Sequence, residues 1–243
     1  MEFKQISEQA FMIYFDAVID EETFNEVNVV SDYLKTLDEP YIKEVVPSYR
    51  AILVYFDGMA ITYDALLETL NLTALTRTST TQNRSRRIVN IPVLYGGKWG
   101  PDLEYVAEHN QLSVESVIRY HTESYYLVYM IGFMPGFPFL GGLDTHIHTP
   151  RKAEPRLQIP AGSVGIANNQ TGLYPADSPG GWQIIGRTPI DVFDLNRDPK
   201  ILYQPGDKIK FYAINEEQFL HIQKYVEKKL LDYDEWVRIS YEH

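Results

Sequence analysis

Residues 132–189 read GFMPGFPFLGGLDTHIHTPRKAEPRLQIPAGSVGIANNQTGLYPADSPGGWQIIGRTP, and this stretch decides the fold class. Its 58 residues hold 10 of the chain's 15 glycines and 8 of its 14 prolines, so no long helix can run through it. Short β-type runs stand between the turn signals Pro-Gly, Asn-Asn and Gly-Gly. They are LQIPAG (157–162), SVGIA (163–167) and WQIIG (182–186), followed by IDVF (190–193) and DKIKFYAI (207–214). Strands this short, at spacings of 8–12 residues, predict a small barrel or sandwich rather than a βαβ sheet.

Upstream the texture differs. QAFMIYF (9–15) reads as a strand, and residues 21–37 set Phe24, Val27, Val30, Leu34 and Leu37 on one helical face. Two β-rich pieces hinged at Pro47 follow in residues 41–57, then a helix carrying Tyr63, Leu66, Leu67 and Leu70. The order β-α-β-β-α predicts an α+β, ferredoxin-like split βαβ unit, with a last strand near RRIVNIPVLY (86–95). The polar run Thr76–Asn83 reads as a linker and places a boundary at 84/85. Beyond it, Pro101–Tyr120 reads as a helix pair broken at His109-Asn110. Glu216–Leu231 reads as a helix with Phe219, Ile222, Val226 and Leu230 on one face.

The chain has 243 residues, 44% hydrophobic and 23% charged, which excludes disorder as its dominant state. No apolar run reaches the roughly 18–20 residues that span a bilayer. The opening MEFKQISEQAF has no basic patch before an apolar stretch, so no signal peptide is expected and a cytoplasmic protein is. Cysteine is absent, which excludes disulfides, thiolate catalysis and zinc–thiolate sites. Net charge is −11, and residues 1–76 carry 14 acids against 4 bases. Such a chain repels phosphate backbones, so neither nucleic acid nor membrane is expected as a partner. The acidic third is either a solvated surface or a docking face for a basic partner.

Several chemistries fail the search. There is no GxGxxG or GxxxxGK[ST], and Ala161 stands where a Gly-x-Ser-x-Gly elbow at Ser163 needs glycine. His146 and His148 form an H-x-H pair without a clustered third ligand, so no metal site is expected. His109, His121, His221 and His243 read as surface or helix-end residues. The glycine–proline region is different, because polar groups are interleaved where turns bring chain together. Arg151, Lys152 and Arg156 fall within six residues and Arg187 returns later, with Gln170, Thr171, Tyr174, Ser178 and Trp182 between. Glycine turns let backbone N–H groups approach a ligand, and guanidinium groups favour a carboxylate or phosphate. The pattern fits an anion-accommodating groove at a barrel rim, or equally tight barrel corners with solvated arginines.

The run from Gly132 to Asp144, GFMPGFPFLGGLD, resembles the GFxPGFxYLGGLD signature of a known family: the B subunit of 5-oxoprolinase, the KipI sporulation-kinase inhibitor and allophanate hydrolase subunit 1. The resemblance continues through Thr149–Lys152, Pro155-Arg156, Ile159–Ala167, Gln170–Pro175, Ser178–Pro189 and Pro205–Phe211. Upstream, Tyr95–Leu103 resembles the family's YGG-x-x-GPDL element. It is strong from about residue 90 to 214. One departure is Asn168-Asn169 where the family often reads GIAGxQTG; asparagine tolerates the left-handed backbone such a turn needs.

The resemblance implies an α+β domain at 1–84 and a cyclophilin-like β-barrel with a C-terminal helix at 85–243. It implies the B subunit of a bacterial ATP-dependent 5-oxoprolinase that opens 5-oxoproline to L-glutamate, inactive alone and assembled with the A and C subunits, the latter most directly. ATP with Mg2+ would then act at the level of the complex. Alternative labels on the same scaffold are an inhibitor of a sensor histidine kinase and one half of a urea or allophanate carboxyltransferase. On the enzyme reading, Arg151, Arg156 and Arg187 would hold an anion and Gln170, Thr171 and Tyr174 would supply hydrogen bonds. Backbone at Gly162, Ser163, Val164, Gly180 and Gly181 would stabilise oxyanion character. Phe137 and Trp182 would line an apolar pocket or partner face, with Phe133 and Phe139 as further anchors; no catalytic residue is assigned.

Overall fold

The computed structural model describes residues 1–18, 20–71 and 86–241, and the chain divides into two units, 1–83 and 84–243. In the first, β1 (Glu2–Ser7) and β2 (Ala10–Tyr14) form a hairpin, α1 (Glu21–Thr36) follows, β3 (Ile42–Pro47) and β4 (Ala51–Phe56) form a second hairpin, and α2 (Tyr63–Leu70) comes last. The sheet is antiparallel in the order β1-β2-β4-β3. Period-two alternation turns Phe11, Ile13, Ile52 and Val54 inward onto Val27, Val30, Leu34, Leu66 and Leu70 of the helices. The Asp20 carboxylate accepts from the Thr23 N–H at 2.8 Å and caps α1.

The expected ferredoxin-like order is not completed. RRIVNIPVLY does form a strand, β5 (Arg87–Tyr95), but it belongs to the second unit, and the edge of the first sheet is β1 instead. Sequence reading missed β1 because EFKQIS is polar and five of its six residues are exposed. The linker reading at Thr76–Asn83 lies outside the described residues.

After β5 the second unit has α3 (Leu103–His109), α4 (Val114–Glu123), β6 (Tyr126–Ile131), β7 (Pro138–Gly141), β8 (Arg156–Ile159), β9 (Ser163–Ala167) and β10 (Gln170–Leu173). Then come β11 (Ser178–Gly180), β12 (Gln183–Arg187), β13 (Lys208–Ala213), α5 (Glu216–Glu227), α6 (Tyr233–Trp236) and β14 (Ile239–Tyr241). The main sheet runs β10-β9-β12-β5-β13-β6-β7, and β14 also pairs with β5. Its two end strands meet: a Cβ on Gly172 of β10 would lie 3.4 Å from the Pro138 carbonyl oxygen of β7. The sheet is thus barrel-like and nearly closed, as a cyclophilin-like barrel requires. β8 and β11 form a separate two-stranded ribbon.

The helix pair forms with its break at Asn110-Gln111. Asn168 takes the left-handed backbone (φ 55°) in the β9–β10 turn. IDVF makes only an isolated bridge, Phe193 to Ile201. The last long helix stops at Glu227: Lys229 turns left-handed (φ 56°) and its N–H bonds Val226 O while that of Leu230 bonds Tyr225 O. This Schellman closure leaves Leu230 exposed, off the buried face where sequence periodicity put it.

Candidate functional site

Three of the basic residues converge. The Lys152 N–H donates to Gly181 O at 2.8 Å, and Arg156 lies opposite Gly180 in the β8–β11 ribbon. The charges of Lys152 and Arg156 meet on one carboxylate, Asp102, which is 5% exposed at the start of α3. Its Oδ1 accepts from Arg156 Nη2 at 2.7 Å and faces Lys152 Nζ at 3.4 Å, and its Oδ2 accepts from the Ile184 N–H at 2.7 Å. Burial alone would raise the Asp102 pKa, but the Arg156, Ile184 and Lys152 contacts together hold it below the ordinary carboxylate value. Sequence reading gave Asp102 no role: it is the aspartate of the GPDL element, but its partner Arg156 lies 54 residues away.

Beside this cluster stands an aromatic group outside the main barrel core, made of Phe137, Tyr174, Trp182, Ile159 and Ile184. Phe137 meets Tyr174 at 5.5 Å and Trp182 at 5.9 Å between ring centroids, both edge-on. Phe133 and Phe139 also meet Phe137 edge-on, and Phe133 is largely exposed. Arg151, the third of the converging cations, sets its guanidinium 5.9 Å over the Trp182 ring. Burial pushes the Tyr174 hydroxyl up to about 12, with Arg151, Arg156 and the Trp182 N–H acting against it.

The remaining sequence candidates are placed elsewhere or are already engaged. Arg187 Nε donates to Ala161 O at 2.7 Å and its guanidinium covers Trp99 at 5.5 Å; burial lowers its pKa against the pull of Asp177. The Gly162 N–H bonds Tyr174 O at 2.7 Å, and the Ser163 N–H bonds Pro160 O at 3.2 Å. Gly162 itself is irreplaceable, with φ +80° and the Thr188 carbonyl oxygen standing where a Cβ would go. Val164 is buried in β9 between its two neighbouring strands, and Gln170 is half-buried at the start of β10. Ser178 is buried in the ribbon.

Thr171 is fully buried, because alternation along β10 turns it into the barrel. There His121, read from sequence as a surface or helix-end residue, is also fully buried. Its Nε2 meets Thr171 Oγ1 at 2.8 Å, Thr171 Oγ1 donates to Gly165 O at 3.0 Å, and Tyr95 Oη meets His121 Nδ1 at 2.7 Å. Those directions fix one tautomer: Nε2 donates to Thr171, and Tyr95 donates to Nδ1. Burial pulls the His121 pKa to about 3, so the ring is neutral. Of the H-x-H pair, His146 Nδ1 bonds Asp144 at 2.7 Å whereas His148 Nε2 meets Leu143 O at 3.2 Å. Among the described residues, no group of three or more His, Asp or Glu is placed to hold a metal ion. None of their helices is long and apolar enough to cross a membrane.

A family described as "Carboxyltransferase domain, subdomain C and D" matches residues 1–203. The chain belongs to that family. Among its relatives, the B subunit of 5-oxoprolinase from Bacillus subtilis is 41% identical over 228 residues, covering 90% of this chain and 95% of the relative. The Escherichia coli O157:H7 protein of the same name is 44% identical over 183 residues, 73% of this chain and 80% of the relative. A conserved uncharacterised protein of Pyrococcus horikoshii is 40% identical with a TM-score of 0.54, covering 90% of this chain and 100% of that one. The Kluyveromyces lactis urea amidolyase shares the fold, with a TM-score of 0.79 at 19% identity, over 99% of this chain and 16% of its own. The fold thus occurs both in short chains and as a segment of much longer enzymes.

Proposed function

We propose that this chain is the B subunit of a bacterial ATP-dependent 5-oxoprolinase, which opens 5-oxoproline to L-glutamate. The observation that carries the reading is its 41% identity to a protein of that name along 95% of the relative's length. The cationic cluster around Arg151 and Arg156 supports it, because the substrate is a small cyclic amide bearing a carboxylate. Arg187 and the Val164 backbone are engaged within the barrel and stand outside this cluster, whereas Gly180 and Gly181 flank it in and beside the β8–β11 ribbon. Thr171, Gly162 and Ser163 act by fixing β9 and β10.

ATP with Mg2+ belongs to the assembled complex. Gly162 and Ser163 already spend the N–H groups of their turn on Tyr174 O and Pro160 O, so that turn is not a phosphate cradle. The role left to this chain is to bind and orient the carboxylate, and it is inactive alone. Its partners are the A and C subunits, the latter most directly, and the assembly is cytoplasmic. In this reading the barrel (85–243) holds the anion, and the acidic part (1–84) is a solvated surface or a docking face for a basic partner.

Size-exclusion chromatography of the three purified proteins tests the assignment. Co-elution with the C subunit, and with the A subunit when C is present, is the expected result. A chain that elutes apart from both, yet blocks autophosphorylation of a sensor histidine kinase, would replace this reading with the inhibitor one.

A further inference from the structure

We propose that Arg151, Arg156 and the Tyr174 hydroxyl form a seat for the carboxylate of a small planar ligand, with Asp102 as the positioning residue behind it. The identity of the ligand as 5-oxoproline rests on the 5-oxoprolinase reading; the seat rests on the geometry alone.

Charge comes first. Lys152 and Arg156 share one buried carboxylate, Asp102, while Arg151 stands over the Trp182 ring, so the cluster keeps an excess of positive charge. Glu154, on the same loop, is exposed and makes no ion pair among the described residues. The excess sits on specific atoms. Arg156 Nη2 is tied to Asp102, while Arg156 Nη1 is buried without an acceptor. A buried donor left unpaired is unfavourable, so an oxygen that reaches it is bound more tightly. Arg151 has no hydrogen-bond or ion-pair partner among the described residues, and its contact with the Trp182 ring leaves its N–H donors unused.

Tyr174 completes the set. The Trp182 backbone N–H and both guanidinium groups act on its hydroxyl oxygen, and the O–H is the group that would donate to a ligand. Position 180 must be glycine for this, because a Cβ there would lie 2.5 Å from that hydroxyl oxygen. The two guanidinium groups approach the hydroxyl closely enough to offset part of the burial that raises its pKa. A guanidinium fork takes a carboxylate or a phosphate alike, so the choice of a carboxylate rests on the apolar surface beside it. The edge-on rings of Phe137 and Trp182 offer an apolar flank for ring methylenes. Asp102 also bonds the Ile184 N–H and so ties Arg156 to β12, which makes it a positioning residue rather than a ligand-touching one.

The full chain is titrated with 5-oxoproline, its neutral amide and inorganic phosphate while the Trp182 indole N–H is followed by NMR. The expected result is saturable binding of 5-oxoproline alone, weakened at least ~10-fold by Arg151→Ala and about 3- to 10-fold by Tyr174→Phe. Thermal melts of these two variants show whether each is folded, and Arg151→Ala melts with the parent because its side chain is exposed. Asp102→Asn keeps an acceptor for Ile184 and discriminates two roles. If Asp102 positions Arg156, binding weakens about 5-fold; if it only neutralises the cluster, binding tightens, and the positioning role fails. Equal binding of the neutral amide, preferential binding of phosphate, an unaffected Arg151→Ala or no binding at all overturns the seat. Glutamate release by the assembled complex is measured in parallel: dependence on this chain with no response in the variants sinks the seat alone. A working seat without that dependence sinks the 5-oxoprolinase reading alone.

Discussion

Lowering the pH from 7.5 to 5 destabilises the barrel through His121. The ring is fully buried, bonded at both nitrogens as the neutral tautomer and stacked on Phe211 at 4.9 Å. Its folded pKa is about 3 against an ordinary value of 6.5. Between those values the unfolded chain takes up a proton that the folded one refuses. Stability is therefore full above pH 6.5 and falls by about 1.4 kcal/mol per unit below it. At pH 5 the loss is about 2 kcal/mol. Carboxylates held low, such as Asp102, Asp144 and Asp177, keep their contributions until the pH falls through their folded pKa values, below 3.8. Asp191, pushed up by burial, works in the opposite direction.

Comparison with His121→Gln cancels what the two proteins share. Urea titrations followed by tryptophan fluorescence are suitable, because Trp99, Trp182 and Trp236 all lie in the 84–243 unit. The wild-type chain is expected to lose about 2 kcal/mol more than the variant between pH 7.5 and 5. Equal losses in both would refute the buried neutral histidine.

Three further perturbations follow from single contacts. Asp102→Ala strands the Ile184 N–H and two cations and costs about 3–5 kcal/mol by urea denaturation, whereas Asp102→Asn costs less than about half of that. Gly162→Ala sets a Cβ against Thr188 O in a left-handed backbone and leaves little soluble folded protein on expression; a normal melt would contradict the turn geometry. Phe133 holds a left-handed φ of 67° at 71% exposure, so Phe133→Gly shifts stability by less than about 1 kcal/mol, against the roughly 3–5 kcal/mol of a buried phenylalanine, as differential scanning would measure.

The parts of the fold that sequence exposes are those with a strong local signal. SVGIA and WQIIG become β9 and β12 because turn residues bound them on both sides, and Asn168 supplies the left-handed turn between β9 and β10. The helix break at Asn110 is equally local. What escapes is decided by partners distant in the chain. RRIVNIPVLY has the composition of a strand, but only pairing with β13 and β12 says which sheet receives it. Mostly polar β1 and three-residue β14, exposed along its length, are too weakly patterned to stand out.

The site divides in the same way. Arg151, Arg156, Tyr174 and Trp182 stand out in a glycine–proline region and do come together. Thr171 looks identical to them in sequence, and only the alternation along β10 turns it inward to His121. Asp102 is the aspartate of the GPDL element, but its role shows only once α3 meets β8 and β12. The alternation of β10 and the helical position of His121 were the available clues to a buried polar chain, and both are weak without the register.

The central claim is tested most directly by glutamate release from 5-oxoproline and ATP, measured with the A and C subunits in the presence and absence of this chain. Release that requires this chain is the predicted result. Equal release without it, from correctly assembled partners, would contradict the assignment.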